Sequence, residues 1–227
     1  MSTDQYEYLF FHIDKENAIE SSAKKYKQLR LQALSVAPTS FSSTYEIESS
    51  LTDTEWVDRL SANGRETFIC AARPTQNNAP CSQTTEWVGQ LTLRGPLSPE
   101  DFILPEESGQ KKPTQERGME LWQMLSLFTL PDHRGRRLGK RLCQEALRYL
   151  ASYRDSPREL WVRLMVKPEN HATVSLYRGL GFAEAGKCTL VEALVANGDQ
   201  DLLPENISGE KYTSRSGLIM MLEICRS

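Results

Sequence analysis

The order of apolar and polar residues along the chain predicts an α+β protein built on one mixed sheet. Apolar residues at helical spacing predict helices over 18–36 and around 53–61, the second capped by Thr52 or Asp53. Short apolar or alternating runs, typical of strands, cover residues 6–13, 67–72, 87–93, 121–130, 160–166, 186–194 and 217–224. We therefore expect a single domain with a central sheet of about seven strands flanked by helices.

The middle of the chain has the pattern of a β-α-β unit. The strand at 121–130 precedes an amphipathic helix and then the strand at 160–166, which predicts parallel neighbouring strands joined by a right-handed crossover. A shorter helix, about 171–178, follows and is closed by glycines. The apolar stripe of the first of these helices consists of Leu138, Leu142, Cys143, Ala146, Leu147 and Leu150.

Three polar segments interrupt this pattern. Residues 74–85 have the composition of an exposed hairpin loop. Residues 95–118, rich in proline, glycine and charge, predict a long loop or insertion. A further polar stretch at about 195–216 is expected to join the last two strands.

Composition narrows the class of protein. The 227 residues are 39% apolar and 25% charged, which is ordinary for a globular protein, and a net charge of −3 favours neither nucleic acid nor an anionic membrane as partner. We find neither a signal-peptide pattern nor an apolar run long enough for a membrane span, and expect a cytoplasmic protein. Scattered cysteines without a CxxC pair argue against a zinc site or a disulfide scaffold: Cys70, Cys81, Cys143, Cys188 and Cys225.

One short segment combines glycines and basic residues at a helix start. In TLPDHRGRRLGKR, residues 129–141, a strand ends at a proline and the chain turns directly into the amphipathic helix. First-turn amides of a helix lack carbonyl partners and carry about half a positive charge. Glycine lets a bound group approach closely at Gly135 and Gly139. A pyrophosphate would satisfy these amides and the nearby cations, which are Arg134, Arg136, Arg137 and Lys140.

The same basic segment has two other interpretations. It could be a solvated basic face, although positive charge in the first turn opposes the helix dipole and is unfavourable without an anion. It could also be a nucleic-acid-binding patch. The apolar stripe that continues from it, the acidic net charge and the lack of interleaved aromatic residues argue against that second interpretation.

Together with the residues that follow it, this segment resembles the GNAT superfamily of N-acetyltransferases. The family's cofactor motif is Gln or Arg, two residues, Gly, one residue, and Gly or Ala. Here it would run from Arg134 to Gly139, with Arg137 in place of the middle glycine.

Segments on both sides of the motif extend the resemblance over most of the chain. A strand ending at Val166, with Asn170 four residues later, matches the family's V-x3-N pattern, and the sequence ending at Phe182 matches LY-x3-GF, with Thr173 replacing a common alanine. RLQAL and APTSF, within residues 30–41, resemble the family's first helical region. The resemblance implies one GNAT domain over 1–227, with an acceptor-side part at about 1–94, the loop 95–118, a cofactor-binding core at about 119–182 and C-terminal strands at 183–227.

The resemblance also implies the cosubstrate and the reaction. Acetyl-CoA would lie where the two parallel strands splay apart, no metal is implied, and the acceptor amine would attack the thioester directly. Backbone donors would stabilise the carbonyl charge, and Tyr177 would protonate the departing thiolate, because a phenol of pKa about 10 is a suitable donor to a thiolate of pKa about 8 to 9. The residues expected to contact acetyl-CoA are Leu127, Phe128, Thr129, Leu130, Arg134, Gly135, Arg136, Arg137, Leu138, Gly139, Lys140, Asn170, Thr173 and Tyr177.

The group that takes the proton from the amine is left open. A glutamate that some family members have about eleven residues before the motif corresponds here to Gln123, which cannot accept a proton. Glu120 on the same strand and an ordered water are the candidates. We interpret His133 and His171 as a loop and a helix residue, and Cys143 as a core residue rather than a nucleophile.

The acceptor is expected to be a small-molecule amine, with a protein N-terminus or lysine as the alternative. Acidic residues of the last loop and the insertion favour a cationic amine, although a solvated acidic surface explains them equally well. A non-catalytic acyl-CoA-binding module is a further alternative, against which Tyr177 argues. The chain could be a monomer or a homodimer. These acidic residues are Glu100, Asp101, Glu106, Glu107, Asp199, Asp201, Glu205 and Glu210.

Overall fold

A seven-stranded mixed sheet forms the centre of the structure, a computed structural model that describes residues 5–75, 85–113, 118–152 and 154–226. The strands follow the order β1-β2-β3-β4-β5-β7-β6 across the sheet. The predicted α+β class and the predicted number of strands are confirmed. The strands are β1 (Tyr6–His12), β2 (Arg65–Pro74), β3 (Glu86–Arg94), β4 (Met119–Thr129), β5 (Glu159–Val166), β6 (Ala183–Cys188) and β7 (Gly217–Cys225).

Helices flank this sheet, and the long ones lie where apolar spacing predicts them. Thr52 caps the second predicted helix through a capping box, in which its side chain accepts from the Glu55 amide and the Glu55 carboxylate accepts from the Thr52 amide. The helices are α1 (Ile19–Val36), α2 (Tyr45–Ser49), α3 (Asp53–Ser61), α4 (Pro99–Phe102), α5 (Leu138–Ser152), α6 (His171–Arg178), α7 (Leu190–Asn197) and α8 (Glu210–Thr213).

Strands β4 and β5 are parallel, as the β-α-β pattern predicts, and they separate before they end. Their pairing runs from Met119 opposite Glu159 to Met124 opposite Leu164, whereas β4 continues to Thr129. Beyond Met124, β4 stays paired with β3 through a register shift, and Ser126 has a positive φ of 60°. The expected splayed pair is therefore confirmed, and it leaves one edge of β4 without a partner strand in the described residues.

Alternation along the strands places different helices on the two faces of the sheet. On β5, Leu160, Val162 and Leu164 join the core under α5 and α6, whereas Trp161 faces a second cluster that contains Phe102 of α4. A third cluster packs α1 and α3 against Ile69 of β2. The three clusters pack helices against the sheet that contains the opening between β4 and β5.

The prediction of a strand over 186–194 is wrong beyond Cys188. Strand β6 ends there, and Leu190–Asn197 form helix α7. A capping box starts this helix, because the Thr189 hydroxyl accepts from the Glu192 amide at 3.1 Å and Glu192 Oε2 accepts from the Thr189 amide at 2.9 Å. The apolar run after Thr189 therefore belongs to a helix.

The insertion after β3 is more ordered than a plain loop. It contains α4 and buries Phe102 and Leu104 against Trp161 of β5. Residues 76–84, with most of the predicted hairpin loop and Cys81, lie outside the described residues, as do 114–117 of the insertion.

The described residues contain neither a membrane-spanning helix nor a cluster of metal ligands. No helix in these ranges is both long enough and apolar enough to cross a membrane. The same residues contain no group of three or more His, Cys, Asp or Glu side chains placed to hold a metal ion.

Replacing Gly186 of β6 is expected to detach the insertion from the sheet. Gly186 has a φ of +126°, and a Cβ there would overlap the carbonyl oxygen of Ser108 and lie 3.1 Å from the Gln110 amide. We expect Gly186→Ala to lower the free energy of unfolding by about 1–3 kcal/mol. Gly209→Ala is the control, because a Cβ there is 3.9 Å from the Tyr212 ring. Equal unfolding midpoints for the two variants would contradict this packing.

Candidate active site

A cleft of about 730 Å³ opens where β4 separates from β5. Its walls are the end of β4, the turn into α5, the end of β5 and helix α6. The cleft brings together most residues that the sequence predicts to contact acetyl-CoA. Those that line it are Leu127, Phe128, Thr129, Arg134, Gly135, Arg137, Leu138, Gly139, Lys140, Asn170, Thr173 and Tyr177.

Two of the predicted contact residues lie outside the lining of this cleft. Leu130 is buried in the main core, and its amide donates to the carbonyl of Val88 on β3 at 2.8 Å. The guanidinium of Arg136 instead donates to the carbonyl of Asp132 at 2.8 Å. These two residues shape the turn before α5, and their side chains are not part of the cleft wall.

The turn into α5 has the backbone geometry of an anion-binding loop. Gly135 has a φ of +78°, and a Cβ there would meet no atom within 4 Å, so the space above it is open. Arg137, which replaces the usual glycine of the motif, also has a positive φ of 60°. The chain therefore keeps the glycine conformation at that position without having the glycine.

Helix α5 presents its first amides to the cleft. Arg141 is the first residue whose amide bonds back to the turn, at 3.0 Å to the Arg137 carbonyl, so the amides of Leu138, Gly139 and Lys140 have no partner within the helix. A Cβ on Gly139 would lie 3.5 Å from Leu176 of α6, which makes this a close contact between two helices.

The cations of this loop differ in whether neighbouring groups hold their side chains in place. The Nε of Arg134 donates to the Thr129 carbonyl at 3.1 Å, and its guanidinium lies 5.7 Å from the centre of the Phe128 ring. Arg137 and Lys140 line the cleft without an ion pair to any described residue. Helix dipole and side chains thus add up to a positive potential at this end of the cleft.

Helix α6 supplies the opposite wall. Asn170 caps the helix, because its side chain accepts from the Thr173 amide at 3.3 Å. Tyr177 is 6% exposed, lines the cleft, and packs against Phe182 with ring centres 5.7 Å apart. Burial raises the pKa of the Tyr177 phenol well above its ordinary value of 10.0, so this group stays protonated and remains a proton donor.

Glu120, the candidate base, lies outside the lining of the cleft. It sits at the start of β4, opposite Leu160, and β4 leaves β5 only beyond Met124. Its carboxylate is 3% exposed and forms ion pairs with Arg226, at 2.5 Å, and with Arg154. Because this carboxylate is a buried structural group, we do not retain Glu120 as the base.

The other residues considered as proton acceptors have structural positions too. Gln123 is fully buried, accepts from the Arg163 Nε at 2.7 Å and donates to Asn197 at 3.2 Å. His133 borders the cleft but is buried against Tyr8, with 2.9 Å between the Tyr8 hydroxyl and Nδ1, and burial lowers its pKa. His171 is the exposed first residue of α6, and Cys143 is fully buried in the core.

A second, smaller pocket of about 130 Å³ adjoins the cleft. The two share residues 124–126 of β4 and 165–167 around the end of β5. Sequence reasoning missed most of its lining, because the contributing residues come from distant segments and belong to no compact motif. Its polar and aromatic members include Arg30, Phe41, Lys167, Asn197 and Asp199.

The acidic residues that favoured a cationic acceptor do not gather at either pocket. Of the eight, only Asp199 lines the smaller pocket, and none of the eight lines the cleft. Asp199 is buried, and its Oδ1 accepts from Arg59 at 2.8 Å and from Arg65 at 2.7 Å. The solvated-surface interpretation therefore fits most of these residues better.

Comparison with known proteins shows which family the central part of the chain resembles. Residues 103–182 match the model of the Acetyltransferase (GNAT) family. This range includes β4, the glycine-arginine turn, α5, β5 and α6. The resemblance to the GNAT superfamily is thus confirmed. No curated protein matches the chain in sequence.

Solved structures share the fold over almost the entire chain. Arabidopsis thaliana NAA60 in complex with a bisubstrate analogue has a TM-score of 0.55 and 14% identity, with 97% of this chain and 100% of that chain covered. The GNAT-family acetyltransferase of Streptococcus pneumoniae has a TM-score of 0.53 and 16% identity, with 97% of this chain and 100% of that chain covered. The putative acetyltransferase yncA of Salmonella typhimurium, with acetyl-CoA as its cofactor, has a TM-score of 0.53 and 11% identity. The match covers 97% of this chain and 95% of that chain. At these identities the likeness shows the fold alone.

Removing the charge of Glu120 is expected to destabilise the protein. Glu120→Gln leaves the buried Arg226 without its carboxylate, which should cost about 3–5 kcal/mol of unfolding free energy. Glu223→Gln is the control, because Glu223 pairs with Lys111 on the surface and should contribute at most about 1 kcal/mol. Urea unfolding measures both, and a loss below 1 kcal/mol for Glu120→Gln would contradict the structural role.

Proposed function

We propose that the protein is an acetyl-CoA-dependent N-acetyltransferase that moves an acetyl group to a primary amine by direct attack. The observation that carries this proposal is the juxtaposition of three features in one cleft. These are the unpaired edge of β4, the basic glycine turn at the start of α5, and the protonated Tyr177 on α6. The match to an acetyltransferase family supports the same conclusion.

The shape of the cleft fits a long cosubstrate that ends in a diphosphate. Open space above Gly135 and the partnerless amides of Leu138 to Lys140 suit the diphosphate, with Arg137 and Lys140 adding charge. The edge of β4 at 127–129 and the side chain of Asn170 suit the pantetheine arm, which contains amides. Acetyl-CoA supplies the activated acetyl thioester when it is bound.

Tyr177 has the properties that a donor to a departing thiol requires. Its raised pKa keeps the proton on the phenol at neutral pH, and its burial keeps bulk water away from that hydroxyl. The packing of the Tyr177 ring against Phe182 helps to orient the side chain. A sensing module that only binds acyl-CoA has no use for a proton donor in this position.

We assign removal of the amine proton to water. Among the described residues, the carboxylates that line the cleft or the smaller pocket are Glu169 and Asp199. Glu169 is exposed beyond the end of β5, and Asp199 is held by two arginines. We also propose that the smaller pocket receives the acceptor, because it meets the cleft at residues 124–126.

Release of free thiol from acetyl-CoA in the presence of a panel of amines tests the proposal. The panel contains small amines, polyamines, amino acids, and peptides with a free N-terminus or a lysine. Amine-dependent thiol release, with N-acetylated product identified by mass spectrometry, is the expected result. Tight binding of acetyl-CoA without turnover on any amine would contradict it in favour of a sensing module, and binding to nucleic acid alone would contradict both.

Removing the Tyr177 hydroxyl is expected to lower turnover without weakening cosubstrate binding. General acid catalysis is worth about a hundredfold or more, so Tyr177→Phe should lose at least that factor in kcat while its dissociation constant for acetyl-CoA stays unchanged. The wild-type profile should show no loss of activity from Tyr177 below pH 10, because the phenol pKa is raised. An unchanged kcat would rule out Tyr177 as the donor.

Filling the space above Gly135 is expected to block the diphosphate. Gly135→Val forces a branched side chain into a positive-φ position and into the open cleft, so its affinity for acetyl-CoA should fall by about tenfold or more. Gly109→Val is the matched control, since Gly109 has a similar φ of +70° but lies in the insertion. Calorimetric titration that gave equal affinities for both variants would refute the placement of the diphosphate.

A further inference from the structure

The pocket proposed for the acceptor is surrounded by more cations than anions. It adjoins a narrow polar cavity behind it, with Arg30, Asp199 and residues 125–126 in common. Four basic residues line the two spaces against only two carboxylates, which leaves an excess of two positive charges. The basic residues are Arg30, Arg59, Arg65 and Lys167, and the carboxylates are Glu48 and Asp199.

Arg30 is built into this pocket with one edge left for a ligand. Its side chain is 6% exposed, and its Nε and Nη2 bond to both oxygens of Glu48 at 2.9 and 2.6 Å. The guanidinium lies 4.5 Å from the centre of the Phe41 ring, which also lines the pocket. Among the described residues, the remaining nitrogen, Nη1, makes only a 3.4 Å contact to the Ser126 hydroxyl, at the point where β4 leaves β5. This nitrogen is a positioned donor whose capacity is largely unused.

A further buried cation lies behind the pocket. Arg163 is fully buried and bonds to neutral groups alone among the described residues: Gln123, Gln110 and the carbonyl of Phe102. Its Nη2 has no hydrogen-bond partner in these residues. Gln123 joins Arg163 to Asn197, which lines the pocket and donates to Ser42 at 3.3 Å. A buried guanidinium without a carboxylate adds to the positive potential of this side of the sheet.

We propose that the acceptor is an amine that also carries a carboxylate, which binds to Arg30 in the smaller pocket while the amine faces the cleft. This inference rests on the proposed function and adds the chemical class of the acceptor. A carboxylate supplies the missing negative charge and accepts from Nη1 of Arg30, and charge-assisted hydrogen bonds of this kind are the strong ones. Because the pocket is small compared with typical ligand sites of about 300 Å³ or more, it suits the end group of a small molecule.

The same charges explain how the reaction can proceed without a carboxylate base. A positive environment disfavours an ammonium ion, so the acceptor amine is bound in its neutral form after its proton has passed to water. Its nitrogen then attacks the acetyl carbonyl, the bond from that carbonyl to sulfur breaks, and Tyr177 gives its proton to the sulfur. The proton left on the new amide nitrogen passes to water, and the Tyr177 phenol recovers its proton.

Matched amines that differ in the carboxylate alone test the proposal. The pairs are alanine and alaninamide, β-alanine and β-alaninamide, and γ-aminobutyrate and γ-aminobutyramide, which vary the distance between nitrogen and carboxylate. Aminomethylphosphonate tests a phosphonate in place of the carboxylate, and spermidine tests a polycation. Both kcat/KM by thiol release and affinity by calorimetry in the presence of CoA are measured for each compound.

In at least one pair, the acid should exceed its amide by about tenfold or more in affinity and in kcat/KM. Equal values in every pair, or a preference for spermidine, would overturn the inference while leaving the acetyltransferase proposal intact. A phosphonate preferred to every carboxylate would overturn the assignment of a carboxylate. Absence of turnover with selective binding of the acids would refute the proposed function and support the assignment of this pocket.

Variants locate the recognition at Arg30. In Arg30→Met combined with Glu48→Met the ion pair is replaced as a unit, so neither charge is left unpaired and the net charge is unchanged. This double variant should bind and acetylate the acid and its amide about equally, and its unfolding midpoint is measured to show that it is folded. Arg30→Lys, which keeps the charge, should retain part of the preference for the acid. Lys24→Gln, an exposed charge on the same helix, is the control and should retain all of it. A full preference in both Arg30 variants would overturn the assignment.

Discussion

Strand β4 stays paired with β3 to its end but with β5 only as far as Met124, and the rest of the site depends on this difference. The register shift against β3 and the positive φ of Ser126 turn β4 away from its parallel neighbour. Beyond Val166, β5 leads towards α6 instead of following. The cleft and the smaller pocket both border residues 124–126, so one irregularity of one strand creates the two spaces that the proposed reaction needs to join.

The positive potential of the cleft and that of the smaller pocket come from different groups. At the cleft, positive potential comes from main-chain amides and from exposed side chains such as Arg137 and Lys140, which suits a ligand that arrives from solvent. At the smaller pocket the positive potential comes from buried guanidinium groups, above all Arg30 and Arg163. Arg30 is held by Glu48, and Arg163 is held by neutral partners such as Gln123. The first arrangement leaves its side chains exposed, and the second holds its charges in buried positions.

Local patterns in the sequence predict the fold and the cleft well, because both depend on contiguous segments. Six of the seven strands follow from apolar runs, whereas the run predicted over 186–194 overlaps β6 only at residues 186–188. The glycine turn follows from one stretch of about a dozen residues. Helix α7 was missed because an apolar run from Leu190 resembles a strand, although Thr189 and Glu192 form a readable capping box. The smaller pocket was not predictable, because Arg30, Lys167 and Asn197 come from distant segments and nothing local marks Arg30 as buried. The structural role of Glu120 was not predictable for the same reason, since its partners Arg154 and Arg226 lie far away in sequence.

A crystal structure of the protein with CoA tests the central claim most directly, because that claim concerns where the ligand lies relative to β4. The account predicts that the pantetheine arm occupies the gap between β4 and β5 beyond Met124. It also predicts that the diphosphate lies within hydrogen-bond distance of the Gly139 and Lys140 amides. Density for CoA at any other surface, or a gap closed by continued pairing of β4 with β5, would contradict it.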